Sequence, residues 1–187
     1  DLVLVGARPG MGKTAFAMNI AVTAAKRTKK AVCVFSLEMS AEQLVTRLLS
    51  SEGMVDSYHL RSGELDEEEW SKIANAASAM AETDILIDDT TGITVSGMKN
   101  LGLIVIDYLQ LMQSEKKTDN RVNEVADISR SLKLMAKEFG VPVICCAQLS
   151  RGPEKRDDKR PQLSDLRDSG AIEQDADSVM LLYRSDY

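Results

Sequence analysis

Several features that would fix a protein's class at once are missing from this sequence. No apolar run approaches the roughly 20 residues that a membrane-crossing helix needs, and the residues following Asp1 lack the charged-then-apolar pattern of a secretory signal. No linker-like, low-complexity tract interrupts the 187 residues, so a single domain is expected, and 44% hydrophobic content is enough to fill its core. Cysteine is scarce. Cys33, Cys145 and Cys146 all fall inside apolar stretches, and the adjacent pair must point to opposite faces of a strand. Buried free thiols are therefore expected, with neither a zinc site nor a disulfide, a usage that suits a reducing cytoplasm. The one histidine, His59, has no ligand-like neighbours and is expected as a solvated loop residue. An excess of positive charge is also lacking: 23 Lys and Arg against 29 Asp and Glu give a formal net charge of -6. Any contact with nucleic acid has to come from local basic segments in a particular arrangement.

What is present is an alternation of short apolar runs and helical stretches. Residues 2–5 form an apolar run before a Gly/Pro-rich turn, and the alanine-rich stretch 13–27, free of Gly and Pro, reads as a helix. Residues 31–36 are a second strand. Ser40 with Gln43 three positions on is a capping-box signature for a helix through about Glu52. Residues 66–82 carry acids in their first turn, as a helix start favours, and 85–87 form a short strand. Residues 103–106 and 141–147 read as strands buried on both faces, and 179–183 as a further strand. Between them, Val125, Ile128, Leu132, Met135 and Phe139 recur at spacings of three and four and predict one helical face packed on the core. The pattern predicts an α/β fold with an open, mostly parallel twisted sheet and helices on both faces. Two stretches break it. Residues 150–161 carry Arg151, Lys155, Arg156, Lys159 and Arg160 among Gly-Pro and Arg-Pro pairs and are expected as a mobile loop, whereas 91–102 are too few for a sizeable crossover helix.

The chemistry begins at Ala7, Arg8, Pro9, Gly10, Met11, Gly12, Lys13 and Thr14, which match the Walker A spacing except for alanine at the first position. A loop of this kind at the head of a helix aims backbone N–H groups and the positive dipole end at phosphate oxygens, with Gly12 permitting close approach. Lys13 would neutralise the β- and γ-phosphates of ATP, and the Thr14 hydroxyl would ligate Mg2+. Asp107 ends the most apolar strand, where open α/β sheets gather ligands, and can hold the same metal through its water shell; a turn-capping aspartate is the plainer alternative. Glu38 follows the second strand and is the candidate general base, the alternative being a charge that merely favours the start of the next helix. Gln148 closes the strand before the basic loop. It could report the γ-phosphate to that loop, or be an ordinary surface glutamine.

Five long stretches, 7–19, 35–40, 103–112, 128–134 and 161–187, carry a resemblance to one family. The runs Leu-Ile-Val-Ile-Asp-Tyr-Leu-Gln-Leu-Met and Ser-Gly-Ala-Ile-Glu-Gln-Asp-Ala-Asp in particular resemble the RecA-like P-loop ATPase domain of DnaB-type replicative helicases. Alanine at position 7 is common in that family. The resemblance implies an ATP- and Mg2+-dependent motor that encircles single-stranded DNA as a homo-hexamer, moves 5′ to 3′, and works with a primase and a helicase loader. It also implies the roles given above for Lys13, Thr14, Glu38, Asp107 and Gln148, places Arg47 near the nucleotide, and puts DNA contacts on Arg167, Asp168 and Gly170. The family carries an N-terminal helical domain and linker helix ahead of the segment matched here, a helix between the positions of Thr94 and Leu103, and an arginine finger beyond Tyr187. The chain is accordingly expected to be a fragment, missing an internal segment near Lys99 and Asn100, with Arg184 no substitute for the finger. A RecA-like recombinase, a P-loop small-molecule kinase with 150–161 as its lid, and a non-catalytic ATP-binding assembly module are the competing readings.

Overall fold

The computed structural model describes residues 1–90, 100–112, 121–166 and 170–185, and at 170 and 171 the backbone alone. Its elements follow the predicted alternation: β1 (Leu2–Ala7), α1 (Lys13–Thr28), β2 (Ala31–Ser36), α2 (Ala41–Gly53), α3 (Ser57–Ser62), α4 (Glu67–Ala81), β3 (Ile85–Asp88), β4 (Leu101–Asp107), α5 (Arg121–Phe139), β5 (Val143–Gln148), α6 (Gly170–Asp175) and β6 (Ser178–Leu181). The strands form one sheet in the order β3-β2-β4-β5-β1-β6, and every pairing among them is parallel.

Strand alternation sorts the core into two layers. Leu2, Leu4, Cys33, Phe35, Ile104, Ile106, Val143 and Cys145 face α5 and Ile172 of α6. Their neighbours Val5, Val32, Val34, Leu103, Val105, Ile144 and Cys146 face α1 and α2. Cys145 and Cys146 thus lie on opposite faces as expected, and all three cysteines are buried thiols outside any disulfide. Burial pushes the Cys145 thiol up to about 12 and raises those of Cys33 and Cys146 as well.

Three expectations need correction. On α5 Val125, Ile128 and Leu132 are buried as expected, joined by Ser129 and Ala136, and Met135 packs half-buried against the core, but Phe139 is 39% exposed. A 19-residue helix is about 28 Å long and a six-residue strand about 20 Å, so the final turn of α5 outruns the sheet beneath it. His59 lies in α3 rather than a loop, with Nδ1 2.8 Å from a Glu69 carboxylate oxygen. That hydrogen bond and the glutamate's charge raise its pKa. The basic stretch after β5 is irregular, as predicted, but anchored: the Arg156 guanidinium donates to both carboxylate oxygens of buried Asp165 at 2.8 and 2.6 Å. Ser150 N–H donates to the Asp165 carbonyl at 2.7 Å, and Leu149 bridges Leu166. A Cβ on Gly152 would lie 2.5 Å from Asp165 Oδ1, so glycine is what lets the carboxylate close on this turn. The strands β3 and β4 are not neighbours but flank β2. The expected gap near Lys99 falls in the 91–99 stretch, outside the described residues.

Candidate active site

Order in the sheet determines what meets at its C-terminal edge. The strands β2, β4, β5 and β1 are consecutive. Their ends deliver Glu38, Asp107, Gln148 and the phosphate loop to one side of the molecule, where parallel sheets place their ligands. A cavity of about 1060 Å³ opens there, lined by the loop together with Glu38, Arg47, Arg61 and Gln148.

The loop is built around two glycines in the left-handed region, Gly10 at φ +80° and Gly12 at +87°. Gly12 begins α1 without any side-chain cap, and the helix has no acid in its first turn. The next three helix starts in the chain are closed by their own residues: α2 by a Ser40–Gln43 capping box, α3 by Asp56, α4 by an Asp66–Glu69 box. The first N–H groups and the dipole of this 16-residue helix are thus left uncapped, an arrangement able to receive an anion such as phosphate. Ala7 is buried as the last residue of β1, and the preceding Gly6 serves packing, since a Cβ there would meet Leu181 at 2.9 Å and Leu149 at 3.0 Å.

Asp107 lies beneath the loop, 4% exposed. Thr14 Oγ1 donates to its Oδ2 at 2.5 Å, and Lys13 Nζ stands 3.4 Å from Oδ1. Oδ1 has no hydrogen-bond partner among the described residues. A buried carboxylate oxygen with a free lone pair beside a loop hydroxyl fits a divalent cation that takes most of its ligands from phosphate and water, as Mg2+ does. No group of three or more His, Cys, Asp or Glu among the described residues could cage a metal alone. Lys13 also lies 4.2 Å over the ring centre of Tyr108, whose own pKa is raised by burial and then by the nearby charges of Glu38 and Asp107.

Glu38 is exposed at the tip of a turn tied by buried Ser36, whose Oγ donates to the Met39 carbonyl at 2.6 Å. Leu37 N–H donates to the Asp107 carbonyl at 2.7 Å, so the strands bearing Glu38 and Asp107 stay in register to their ends. Gln148 is half-buried; its backbone N–H and carbonyl are both bound by the Gln110 side chain, at 3.0 and 3.1 Å.

Other expected residues are placed differently. Arg8 lines the cavity, yet its guanidinium donates to Glu154 at 2.8 and 2.5 Å and to the Leu149 carbonyl at 2.9 Å, tying the loop to the turn after β5. Met11 lines a smaller pocket of about 260 Å³ with Pro153, Pro161 and Tyr183 instead of the main cavity. Arg47 reaches the cavity from α2, exposed and without an ion pair among the described residues. Of the expected DNA contacts, Arg167 and Asp168 lie outside the described residues, and Gly170 opens α6. Sequence reasoning missed Tyr108, Gln110 and Arg61. Only Tyr108, adjacent to Asp107, carried a local signal.

A phosphate loop on β1, a strand-end aspartate on β4 and β5 inserted between them define a P-loop nucleotide-binding domain with a RecA-like sheet. The family is narrower than that. The sequence profile of the DnaB-like helicase C terminal domain family matches residues 1–187, and the chain belongs to that family. The replicative DNA helicase DnaC of Bacillus subtilis (strain 168) is 53% identical over 198 aligned residues, covering 100% of this chain and 44% of the relative. The replicative DNA helicase DnaB of Geobacillus stearothermophilus is 52% identical with the same coverage. The chain thus spans under half the length of these relatives. Among solved structures, a DnaB-like replicative helicase, described with its primase interactions, superposes with a TM-score of 0.92 at 39% identity, covering 100% of this chain and 48% of that one. A separately solved ATPase domain gives 0.93 at 38%, covering 100% and 70%. A KaiC-like protein of Pyrococcus horikoshii, at 20% identity and TM-score 0.58, shares the fold alone.

Proposed function

We propose that this chain is the ATP-hydrolysing motor of a replicative DNA helicase, one that works as a hexameric ring moving 5′ to 3′ on single-stranded DNA. The observation that carries the reading is the meeting of groups from consecutive strand ends: the Gly12–Thr14 helix start, Glu38 and Gln148 line one cavity, and buried Asp107 lies directly beneath it, hydrogen-bonded to Thr14 at 2.5 Å. Family membership and the helicase relatives support it.

In this reading the backbone N–H groups at the start of α1 receive the phosphates of ATP, and Lys13 leaves its long contact with Asp107 to neutralise the β- and γ-phosphates. Thr14 and Asp107 would hold Mg2+, which would offset the charge that builds on the phosphate oxygens. Glu38, exposed on its turn, takes a proton from the attacking water. Gln148 donates a neutral hydrogen bond to the γ-phosphate and, being followed directly by the turn that Arg8 and Arg156 tie down, passes the loss of that phosphate to it. Arg47 adds charge at the cavity rim. Single-stranded DNA is held by Arg167, Asp168 and the backbone at Gly170, through phosphates and without base reading. A primase and a helicase loader are the proposed partners, and the cytoplasm the proposed location.

The test is made on the complete protein. ATP turnover should rise with single-stranded DNA, and a forked duplex bearing a free 5′ tail should be unwound. ATPase activity with no unwinding of that fork would sink the helicase reading, and phosphate transfer to a small-molecule acceptor would replace it with a kinase.

A further inference from the structure

The residue that holds Gln148 in place is itself unassigned, and its geometry is specific. Along a strand, the N–H and carbonyl of one residue point to the same side. At the end of β5, Leu149 N–H donates to the Ala7 carbonyl on the β1 side. The N–H and carbonyl of Gln148 therefore face the β4 side. There the strand pairing stops early: the last β4–β5 partners are Ile106 and Cys145, and β4 ends at Asp107. The chain then enters a single turn of 3-10 helix, Leu109–Leu111. Gln110, in that turn, presents its carboxamide to the gap: Oε1 accepts from Gln148 N–H at 3.0 Å and Nε2 donates to the Gln148 carbonyl at 3.1 Å. One planar amide, with donor and acceptor side by side, replaces the strand residue that β4 does not supply. The 3-10 turn is itself held by Arg121, the first residue of α5, which donates to the Gln110 carbonyl at 2.7 Å and to the Met112 carbonyl at 3.3 Å.

We propose that Gln110 is a positioning residue: its carboxamide fixes the Gln148 backbone so that the Gln148 side chain meets the γ-phosphate in one orientation, and it also makes the end of β5 move with the end of the Asp107 strand. The proposal rests on the role given to Gln148 above. Gln110 does not line the cavity, so its effect reaches the reaction through Gln148. The phosphate loop, on which ATP binding depends, makes no bond to Gln110, and the step affected is turnover.

Chemistry limits what can replace it. Asparagine is one methylene too short to reach from the same backbone, glutamate cannot donate to the Gln148 carbonyl, and methionine fills the space while making neither bond. In the complete protein with saturating single-stranded DNA, Gln110→Met should lower kcat for ATP about tenfold or more with KM within about twofold, corresponding to a loss confined to the transition state. Gln110→Glu should fall similarly although its shape is kept. The deciding measurement is the pairing with Gln148→Ala: if Gln110 acts through that side chain, the double variant Gln110→Met/Gln148→Ala turns over no more slowly than Gln148→Ala alone. Multiplying losses would overturn the proposal, as would normal kcat in Gln110→Met when Gln148→Ala is slow. A loss of ATP affinity equal to the loss in kcat would overturn it too, because that marks general disruption. Normal turnover in Gln148→Ala is a different failure, since it removes the sensor role itself and the proposal with it.

Discussion

Two glycines form a matched pair that separates the cost of folding from the cost of binding. Gly12 and Gly63 have nearly the same backbone, φ +87° and ψ 21° against φ +76° and ψ 10°. A Cβ on either would meet nothing within 4 Å. The steric cost of alanine is therefore that of the left-handed region alone, about 1–2 kcal/mol at each site. For a domain of this size that predicts a fall in Tm of about 2–8 °C for Gly12→Ala and for Gly63→Ala alike. Binding distinguishes them. Gly63 caps α3, whereas Gly12 begins α1 and lines the cavity, where a methyl group enters the space of the phosphates and pushes them from at least one N–H. A hydrogen bond to a charged group contributes about 1.5–3 kcal/mol, so ATP affinity should fall about tenfold to a hundredfold in Gly12→Ala and stay within twofold in Gly63→Ala. Thermal melts give the first quantity and titration with a fluorescent ATP analogue the second. Equal affinity in the two variants would refute the phosphate-loop geometry; unequal melts would refute the steric argument.

The other predictions rest on separate parts of the molecule. Glu38→Gln should bind ATP normally but turn over about a hundredfold or more slower, as loss of a general base requires; near-normal steady-state turnover would remove Glu38 from that role. The Arg156 guanidinium beside Asp165, with the Gln162 N–H, holds the Asp165 carboxyl below its usual range. Its stabilising effect is therefore present above the ordinary carboxyl pKa and lost as pH falls through the depressed folded value. Asp165→Asn should cost on the order of 2 kcal/mol at neutral pH and flatten the acid side of a stability-against-pH curve, and curves of the same shape for both proteins would contradict this. The thiols of Cys33, Cys145 and Cys146, buried and raised in pKa, should resist a thiol reagent at pH 8 in the native protein and all react once it is unfolded in denaturant. Rapid labelling of any of them in the native state would show that the core has been misassigned.

What could be read from the sequence was local. Lys13 and Thr14 were legible because the loop that presents them is contiguous, and Asp107 and Gln148 because apolar runs end on them. The two layers of the core follow from alternation, which one residue's neighbours determine, and so Cys145 and Cys146 could be assigned to opposite faces. What failed to show depends on register between distant segments. Arg8, inside the motif, lines the cavity as a nucleotide contact would, but that its guanidinium also bonds Glu154, far along the chain, has no local signal. Arg156 looked like one charge among several in a solvated run, and only the fold brings buried Asp165 beneath it. Gln110 has no signature at all. Its bonds to Gln148 form where β4 stops pairing with β5 at Ile106, a fact about two strands that no window of sequence contains.

The same geometry explains how an acidic chain can hold a polyanion. The cavity brings Arg8, Lys13, Arg47 and Arg61 against Glu38 and Glu42, a local excess of two positive charges. Two of those four are matched, Arg8 by Glu154 and Lys13 by Asp107 just below the surface, and counting both acids cancels the excess. Apart from Lys13, which in the proposed reading turns from its 3.4 Å contact with Asp107 to the phosphates, side-chain charge therefore supplies little of the attraction. In the proposed reading the start of α1 supplies the rest: a dipole end worth roughly half a positive charge, with N–H groups that no side chain caps and no acid in the helix's own first turn. Because that contribution is a matter of direction rather than of net charge, moving the backbone at Gly12 should weaken ATP binding more than removing exposed Arg47, although only the second change alters the charge of the site.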